Sequence, residues 1–174
     1  MSRHAAFLRG VNLGKRQVKG AELREVFEGL GFAGVRPLLA SGNVLFETGA
    51  GKGLQRQLEA ALERRFGFAI GVVLRTQEEL QAMLAREPFA AVPEGADAQC
   101  FVLLLAEPLT PPPELQGVPG DFEVARIDPR DIYLVGYRRP NGRYSEGLEQ
   151  IGKQLPKGLL CTMRNWNTIR KAAA

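Results

Sequence analysis

The sequence predicts an α+β protein made of two tandem halves, and two observations support this fold class. Short apolar runs typical of β-strands alternate with segments in which apolar residues recur every three or four positions, as on one face of a helix. In the first half these segments follow the order β-α-β-β-α-β, and a similar order recurs in the second half. With 174 residues, 45% of them apolar, the chain is long enough to bury a core without cross-links.

The first half covers residues 1–76 and contains six predicted elements. Residues 5–11 form a short apolar strand, and a basic loop that contains two glycines follows up to Lys19. The next helix has an apolar face at the spacing i, i+3, i+4 and i+7, made of Leu23, Val26, Phe27 and Leu30. Three strands and one helix complete this half, at 35–39, 44–46, 54–66 (the helix) and 68–74. This order is the ferredoxin-like pattern, in which the first and third strands are antiparallel neighbours at the sheet centre.

The second half covers residues 77–174 and begins with a helix whose capping box is Thr76 and Glu79. Residues 100–105, the most continuous apolar run, predict a central strand. Prolines between 108 and 113 mark either a rigid connector or the entry to a short helix. Four elements follow: a hairpin at 122–127 and 132–137, a helix capped by Ser145, a strand at 158–162 and a short C-terminal helix from about Asn165. With the first helix set aside, element order alone predicts a second ferredoxin-like half.

Composition excludes several classes of protein. No apolar run approaches the roughly 20 residues of a membrane span, and the N-terminus does not resemble a signal peptide. The two isolated cysteines, Cys100 and Cys161, match neither a disulfide framework nor a CxxC metal motif. The chain has a single histidine, His4, which excludes a multi-histidine metal site. A serine–histidine–aspartate triad would have to use His4 as its histidine. We therefore predict a cytoplasmic protein that has no metal and no cofactor, and whose catalytic residues, if any, are unknown.

Charge is distributed in three blocks along the chain. Residues 1–86 carry 13 basic and 8 acidic side chains, residues 87–131 carry 2 and 9, and residues 132–174 carry 8 and 2. Such a chain can pair its acidic middle with its own basic ends, or with a second copy, or leave a positive surface free for phosphates.

The loop after the first strand combines glycines, an amide and cations at a strand end. Its candidate ligand-binding residues are Arg9, Gly10, Asn12, Gly14, Lys15 and Arg16. Glycines allow backbone N–H groups to approach an anion closely, and the cations add charge and directional donors. The loop is not a Walker A motif, because Arg16 stands where a serine or threonine would bind magnesium. The same residues also suit a plain strand-to-helix turn with solvated cations.

A second polar turn precedes the third strand. It consists of Ser41, Gly42 and Asn43, which taken alone are typical of a hairpin turn. In the predicted sheet, however, the end of the first strand lies beside the start of the third. We therefore expect this turn and the Arg9 loop to form one site, with Ser41 and Asn43 orienting the ligand.

The C-terminal segment Arg164-Asn165-Trp166-Asn167 allows two interpretations. Asn165 suits a helix N-cap, and the chain's one tryptophan suits a residue that docks the terminal helix on the core. Alternatively, Trp166 stacks on a base or ring that Arg164 and the two asparagines hydrogen-bond.

RNA-recognition modules share the predicted topology and stack bases on exposed aromatic residues of the two central strands. Phe7 suits such a position on the first strand, but the corresponding positions near Ser41 and Asn43 are not aromatic. Base stacking on the sheet face is therefore not expected.

Three segments together resemble the DUF1697 family of uncharacterised bacterial proteins: Leu8-Arg9-Gly10-Val11-Asn12-Leu13-Gly14, Ser41-Gly42-Asn43-Val44-Leu45-Phe46 and Thr162-Met163-Arg164-Asn165-Trp166-Asn167-Thr168. The resemblance implies an α+β fold of two ferredoxin-like parts and implies no activity. The loop departs from the usual family pattern in having Lys15 and Arg16 after Gly14, where a second glycine is common.

The sequence favours a protein that binds a phosphorylated small molecule or a nucleic acid such as RNA. Arg9, Lys15 and Arg16 would contact the anion. The alternative is a non-catalytic module that forms a homodimer through an exposed sheet edge, with the acidic middle against a second copy's basic end. An enzyme is the third alternative, although no paired carboxylates and no nucleophile–base pair are recognisable.

Overall fold

Two four-stranded antiparallel sheets form the framework of the protein in a computed structural model. The structure describes residues 1–11, 16–39, 42–49 and 51–174. The chain divides into two units, the first comprising Met1–Gln81 with Lys171–Ala174 and the second comprising Ala82–Arg170. The second half predicted from the sequence begins at Gln77.

The first unit contains a sheet with two helices on one face. Its elements are β1 (Ser2–Arg9), α1 (Gly20–Gly29), β2 (Ala33–Pro37), β3 (Asn43–Thr48), α2 (Leu54–Phe66) and β4 (Gly71–Thr76). The strand order is β2-β3-β1-β4, and every neighbouring pair is antiparallel. The predicted pairing of the first and third strands at the sheet centre is confirmed, with Phe7 opposite Asn43.

Apolar residues at helical spacing form the core of this unit. Leu23 and Phe27 of α1 and Leu58 and Leu62 of α2 are buried against one face of the sheet. Phe46 of β3 contacts this layer, with its ring centroid 5.1 Å from that of Phe27. The strands that lead into the candidate loops therefore belong to a closely packed sheet.

The second sheet has the order β6-β7-β5-β8. The remaining elements are α3 (Gln77–Ala85), β5 (Ala98–Leu105), β6 (Phe122–Ile127), β7 (Asp131–Tyr137), a 3₁₀-helix (Leu148–Gln154), β8 (Cys161–Asn165) and α4 (Trp166–Ala173). The predicted central position of β5 and the predicted β6–β7 hairpin are confirmed. No helix in the described part of the chain is long and apolar enough to cross a membrane.

Between β5 and β6 the structure has the connector, one of the two predicted alternatives, and no helix. Pro108 and the three prolines from Pro111 lack backbone donors and disfavour helical geometry before them. One prediction for the second half is wrong in detail. The last strand begins at Cys161, three residues later than predicted, because Gly158 lies in a turn with a φ of +82°. The second half therefore repeats the strand order of the first without its first helix.

Candidate functional site

The end of β1 and the start of β3 meet at one edge of the first sheet. The Leu8 N–H donates a hydrogen bond of 2.8 Å to the carbonyl oxygen of Gly42. Gly42 has a φ of +71°, and a Cβ atom at this position would lie 2.9 Å from Cγ2 of Val11. Only glycine fits here without a shift, so the two segments are held in close contact. The described ends of the two turns, at Val11 and Gly42, therefore lie as close together as the topology predicts.

Two exposed cations lie near the segment that leads into β4. Arg9, the last residue of β1, pairs with Gly71 at the start of β4. The guanidinium carbon of Arg16 lies 5.4 Å from the ring centroid of Phe68, in a cation–π contact. Gly10, between them in sequence, has a φ of +86°, which turns the chain out of the sheet. Arg9 lies beside residues 68–71 through its backbone pairing, and Arg16 lies beside them through its side chain.

Asn43 has a structural contact that the sequence did not predict. Its side chain is buried, and Nδ2 donates a hydrogen bond of 3.1 Å to the Leu38 carbonyl oxygen. The Leu38 N–H donates in return to the Asn43 carbonyl oxygen at 2.7 Å. This pair closes the connection between β2 and β3. The other predicted site residues of this edge lie outside the described residues: Asn12, Gly14, Lys15 and Ser41.

The polar residues of the C-terminal segment stabilise local structure of the second unit. The Arg164 guanidinium donates to the Thr162 hydroxyl at 2.6 Å and to the Met163 carbonyl oxygen at 2.9 Å. Burial lowers the pKa of Arg164 to about 10. The Asn167 N–H donates to the Asn165 side-chain oxygen at 2.8 Å, which confirms Asn165 as the N-cap of α4.

Trp166 is docked on the core, one of the two roles that the sequence allows. Its side chain is 7% exposed. Its ring makes edge contacts with Phe89 and Tyr133, at centroid distances of 5.1 and 5.9 Å. A cavity of about 510 Å³ opens beside it, lined in part by Phe89, Trp166 and Arg170. The stacking role for Trp166 stays a prediction.

Comparison with known proteins identifies the family. The family model described as "Protein of unknown function (DUF1697)" matches residues 1–133, which include both motifs at the β1–β3 edge. The chain belongs to the DUF1697 family. The resemblance found in the sequence is thereby confirmed, although its third motif lies beyond the matched residues.

A solved structure shares the fold of this DUF1697 protein. It is described as that of the conserved bacterial protein SP0830 from Streptococcus pneumoniae. It is 24% identical, has a TM-score of 0.73 and matches 99% of this chain and 97% of that one. At this identity the likeness establishes the fold alone. None of the curated proteins compared with the chain matches it.

A buried carboxylate in the second unit of this DUF1697 protein was not predicted from the sequence. Asp121 is 4% exposed and accepts hydrogen bonds from the Ser145 hydroxyl at 2.8 Å, the Glu146 N–H at 2.7 Å and the Gly147 N–H at 2.8 Å. Burial alone would raise the pKa of Asp121, but these hydrogen bonds and the Arg139 guanidinium hold it below the ordinary value of 3.8. No sequence signal links Asp121 to its partners, which follow it by 18 to 26 positions.

Within the described residues, no group of three or more histidine, cysteine, aspartate or glutamate side chains is arranged to hold a metal ion. The described edge of the first unit carries two exposed arginines, Arg9 and Arg16, and guanidinium groups are donors that phosphates and carboxylates bind.

Proposed function

We propose that this DUF1697 protein binds a phosphorylated or nucleotide-like ligand, such as RNA, where β1 ends and β3 begins. The observation that carries the proposal is the close contact of Gly42 with Leu8 and Val11, which joins two polar turns at an edge that also holds Arg9 and Arg16. Guanidinium groups are the side chains best suited to bind phosphate with two parallel hydrogen bonds.

The remaining motif residues have roles in this proposal that follow from their chemistry. Lys15 adds a third cation, and the glycines Gly10 and Gly14 allow the backbone to approach the anion. Asn12 and Ser41 orient the ligand with amide and hydroxyl groups. Asn43 is not included, because its side chain is buried and its amide donates to the Leu38 carbonyl oxygen within the turn. Arg164, Asn165, Trp166 and Asn167 are not included, because their described contacts stabilise the second unit's own fold.

If the ligand is RNA, it contacts the edge and not the face of the sheet. Phe7, the aromatic residue that β1 could offer for base stacking, is 0% exposed. Stacking on a sheet face requires exposed rings. Binding through cations at an edge depends strongly on salt concentration, because each neutralised phosphate releases a counterion.

Replacing Arg9 with alanine tests this proposal, and Arg3→Ala is its matched control. Both arginines are exposed residues of β1 at alternate positions on one face, but Arg3 lies near the opposite end of the strand, opposite Glu47. Titration with ADP and with a short single-stranded RNA, followed by fluorescence anisotropy or calorimetry, gives the affinities. We expect Arg9→Ala to weaken binding about tenfold and to reduce its salt dependence, since a charge-assisted contact is lost. Arg3→Ala should bind like the wild type.

Two outcomes contradict the proposal. One is that neither probe binds at low salt, and the other is that Arg9→Ala and Arg3→Ala have the same affinity as the wild type. Native mass spectrometry of protein purified at low salt complements the titration, because a retained phosphorylated molecule identifies the ligand class directly.

We also propose that both units are ferredoxin-like and that the protein is cytoplasmic. The order β1-α1-β2-β3-α2-β4 with sheet order β2-β3-β1-β4 supports the first assignment for residues 1–76. The equivalent strand order in residues 77–174 supports a variant that has lost one helix. The two free cysteines favour a reducing compartment.

A further inference from the structure

A groove in the second unit contains ionisable groups that the proposed function does not use. It has a volume of about 540 Å³ and lies between the 3₁₀-helix Leu148–Gln154 and the segment that leads into β6. Its apolar lining includes Val118, which is 49% exposed, and the buried ring of Phe122. This size is within the range of small-molecule sites.

The acidic groups that line the groove are already engaged. Asp121 accepts three hydrogen bonds, one from a hydroxyl and two from backbone N–H groups. Glu146 accepts a hydrogen bond of 3.3 Å from the Asn141 side chain. A Cβ atom at Gly147 would lie 3.2 Å from an Asp121 carboxylate oxygen, so the close approach of this carboxylate depends on glycine.

The cations that line the groove retain donors. The Arg139 Nη1 donates to the Gly120 carbonyl oxygen at 3.1 Å, which fixes the guanidinium at the groove. Its Nε is buried 3.6 Å from an Asp121 oxygen, so it is through the terminal nitrogens of this side chain, which is 33% exposed, that Arg139 can reach an anion in the groove. Lys153 has one contact, a hydrogen bond of 3.5 Å to the Gln150 side chain. An anion between Arg139 and Lys153 would meet donors from both residues.

The balance of charge determines which anion fits. Two cations and two carboxylates line the groove. With charges of both signs around it, a second negative charge on the ligand would gain little net attraction but would cost more to desolvate, so a singly charged carboxylate is favoured over a doubly charged phosphate. We propose that this groove binds a small organic carboxylate, with the carboxylate between Arg139 and Lys153 and its apolar part on Val118 and Phe122.

Phenylacetate is a suitable probe, and phenylethanol and phenyl phosphate are its neutral and doubly charged counterparts. Titration of the full chain at low salt, followed by backbone amide shifts of Gly147 and Gln150 in ¹⁵N spectra, locates and measures binding. We expect phenylacetate to bind more tightly than either counterpart. Lys153→Gln should weaken phenylacetate binding about three- to tenfold, since one charge-assisted contact at an exposed site is lost. Lys157→Gln, which removes an exposed cation that does not line the groove, should leave it unchanged.

Arg139→Gln should weaken binding at least as much as Lys153→Gln. It also leaves Asp121 without its cation, so Lys153→Gln provides the test should Arg139→Gln fail to fold. Equal binding of phenylethanol and phenylacetate, or equal affinities of Lys153→Gln and the wild type, would overturn the proposal. Tighter binding of phenyl phosphate would overturn the assignment to a carboxylate.

Discussion

Asp121 connects distant parts of the second unit through one carboxylate. The sequence predicts that Ser145 caps a helix, but the element there is a 3₁₀-helix with Gly147 at its N-cap position. The Leu148 N–H still donates to the Ser145 hydroxyl oxygen at 3.0 Å, a local contact that is predictable because the two residues are three positions apart. The bond from Ser145 to Asp121 was not predictable, since it joins residues 24 positions apart and depends on how the β6–β7 hairpin folds back. Side-chain networks between distant residues leave no local pattern in a sequence.

Replacing Asp121 with asparagine should destabilise the protein in a manner that depends on pH. At neutral pH we expect a loss of about 1–3 kcal/mol in the free energy of unfolding, because an amide cannot accept all three hydrogen bonds. The pKa of Asp121 is lowered by folding, so its contribution is complete well above 3.8 and is lost as the pH falls below that value towards the folded-state pKa. Urea unfolding at pH 7 and pH 3 measures both effects.

The exposed Glu94→Gln variant is the control for this prediction, because it removes an acid of the same sequence block with no described contact. It should unfold like the wild type at neutral pH. An Asp121→Asn variant that is as stable as the wild type at pH 7 would contradict the role given to this carboxylate.

At the scale of the element, most strands and helices follow from local periodicity. The pairing of β1 with β3 and the central place of β5 were predictable because apolar alternation and element order leave few alternatives. The missing helix between β5 and β6 was harder to predict, since prolines begin helices as well as prevent them. The role of Trp166 could not be predicted for a different reason. In the sequence, an aromatic residue beside a helix cap suits docking on the core and stacking on a ligand equally well. The contacts with Phe89 and Tyr133, which only the structure shows, support docking.

The capping box of α3 gives a prediction at this scale. The Glu79 N–H donates to the Thr76 hydroxyl at 3.1 Å, and the Thr76 N–H donates to the Glu79 carboxylate at 2.9 Å. Thr76→Ala should reduce the free energy of unfolding by about 1 kcal/mol, since one orphan N–H of the helix loses its acceptor. Thr76→Ser keeps the hydroxyl and should retain most of the stability. Equal effects of the two substitutions in urea unfolding would mean that the methyl group, and not the hydroxyl, stabilises this helix start.

At the scale of the whole molecule, the acidic middle block finds partners in the basic block that follows it. Asp97 lies 3.4 Å from Arg138, and Asp121 lies 3.6 Å from Arg139, so the acidic middle is paired with the basic end inside the second unit. The sequence predicted this internal pairing as one of three alternatives and could not choose among them, because net charges do not specify which side chains meet. These ion pairs neutralise part of the charge by which, in the self-associating alternative, two copies of the chain would attract each other.

We therefore expect a monomer at any moderate ionic strength. The edge strand β6 is also poorly suited to pair with a second copy, because its register shifts between Val124 and Arg126 and it exposes charged side chains. Sedimentation velocity at about 50 mM and about 500 mM NaCl, which changes the screening length about threefold, should give one monomeric species in both. A dimer at low salt that dissociates at high salt would support the self-associating module instead. In that case, neutralising exposed acids such as Glu94, while Asp97 and Asp121 are kept, should lower the affinity of the two copies for each other.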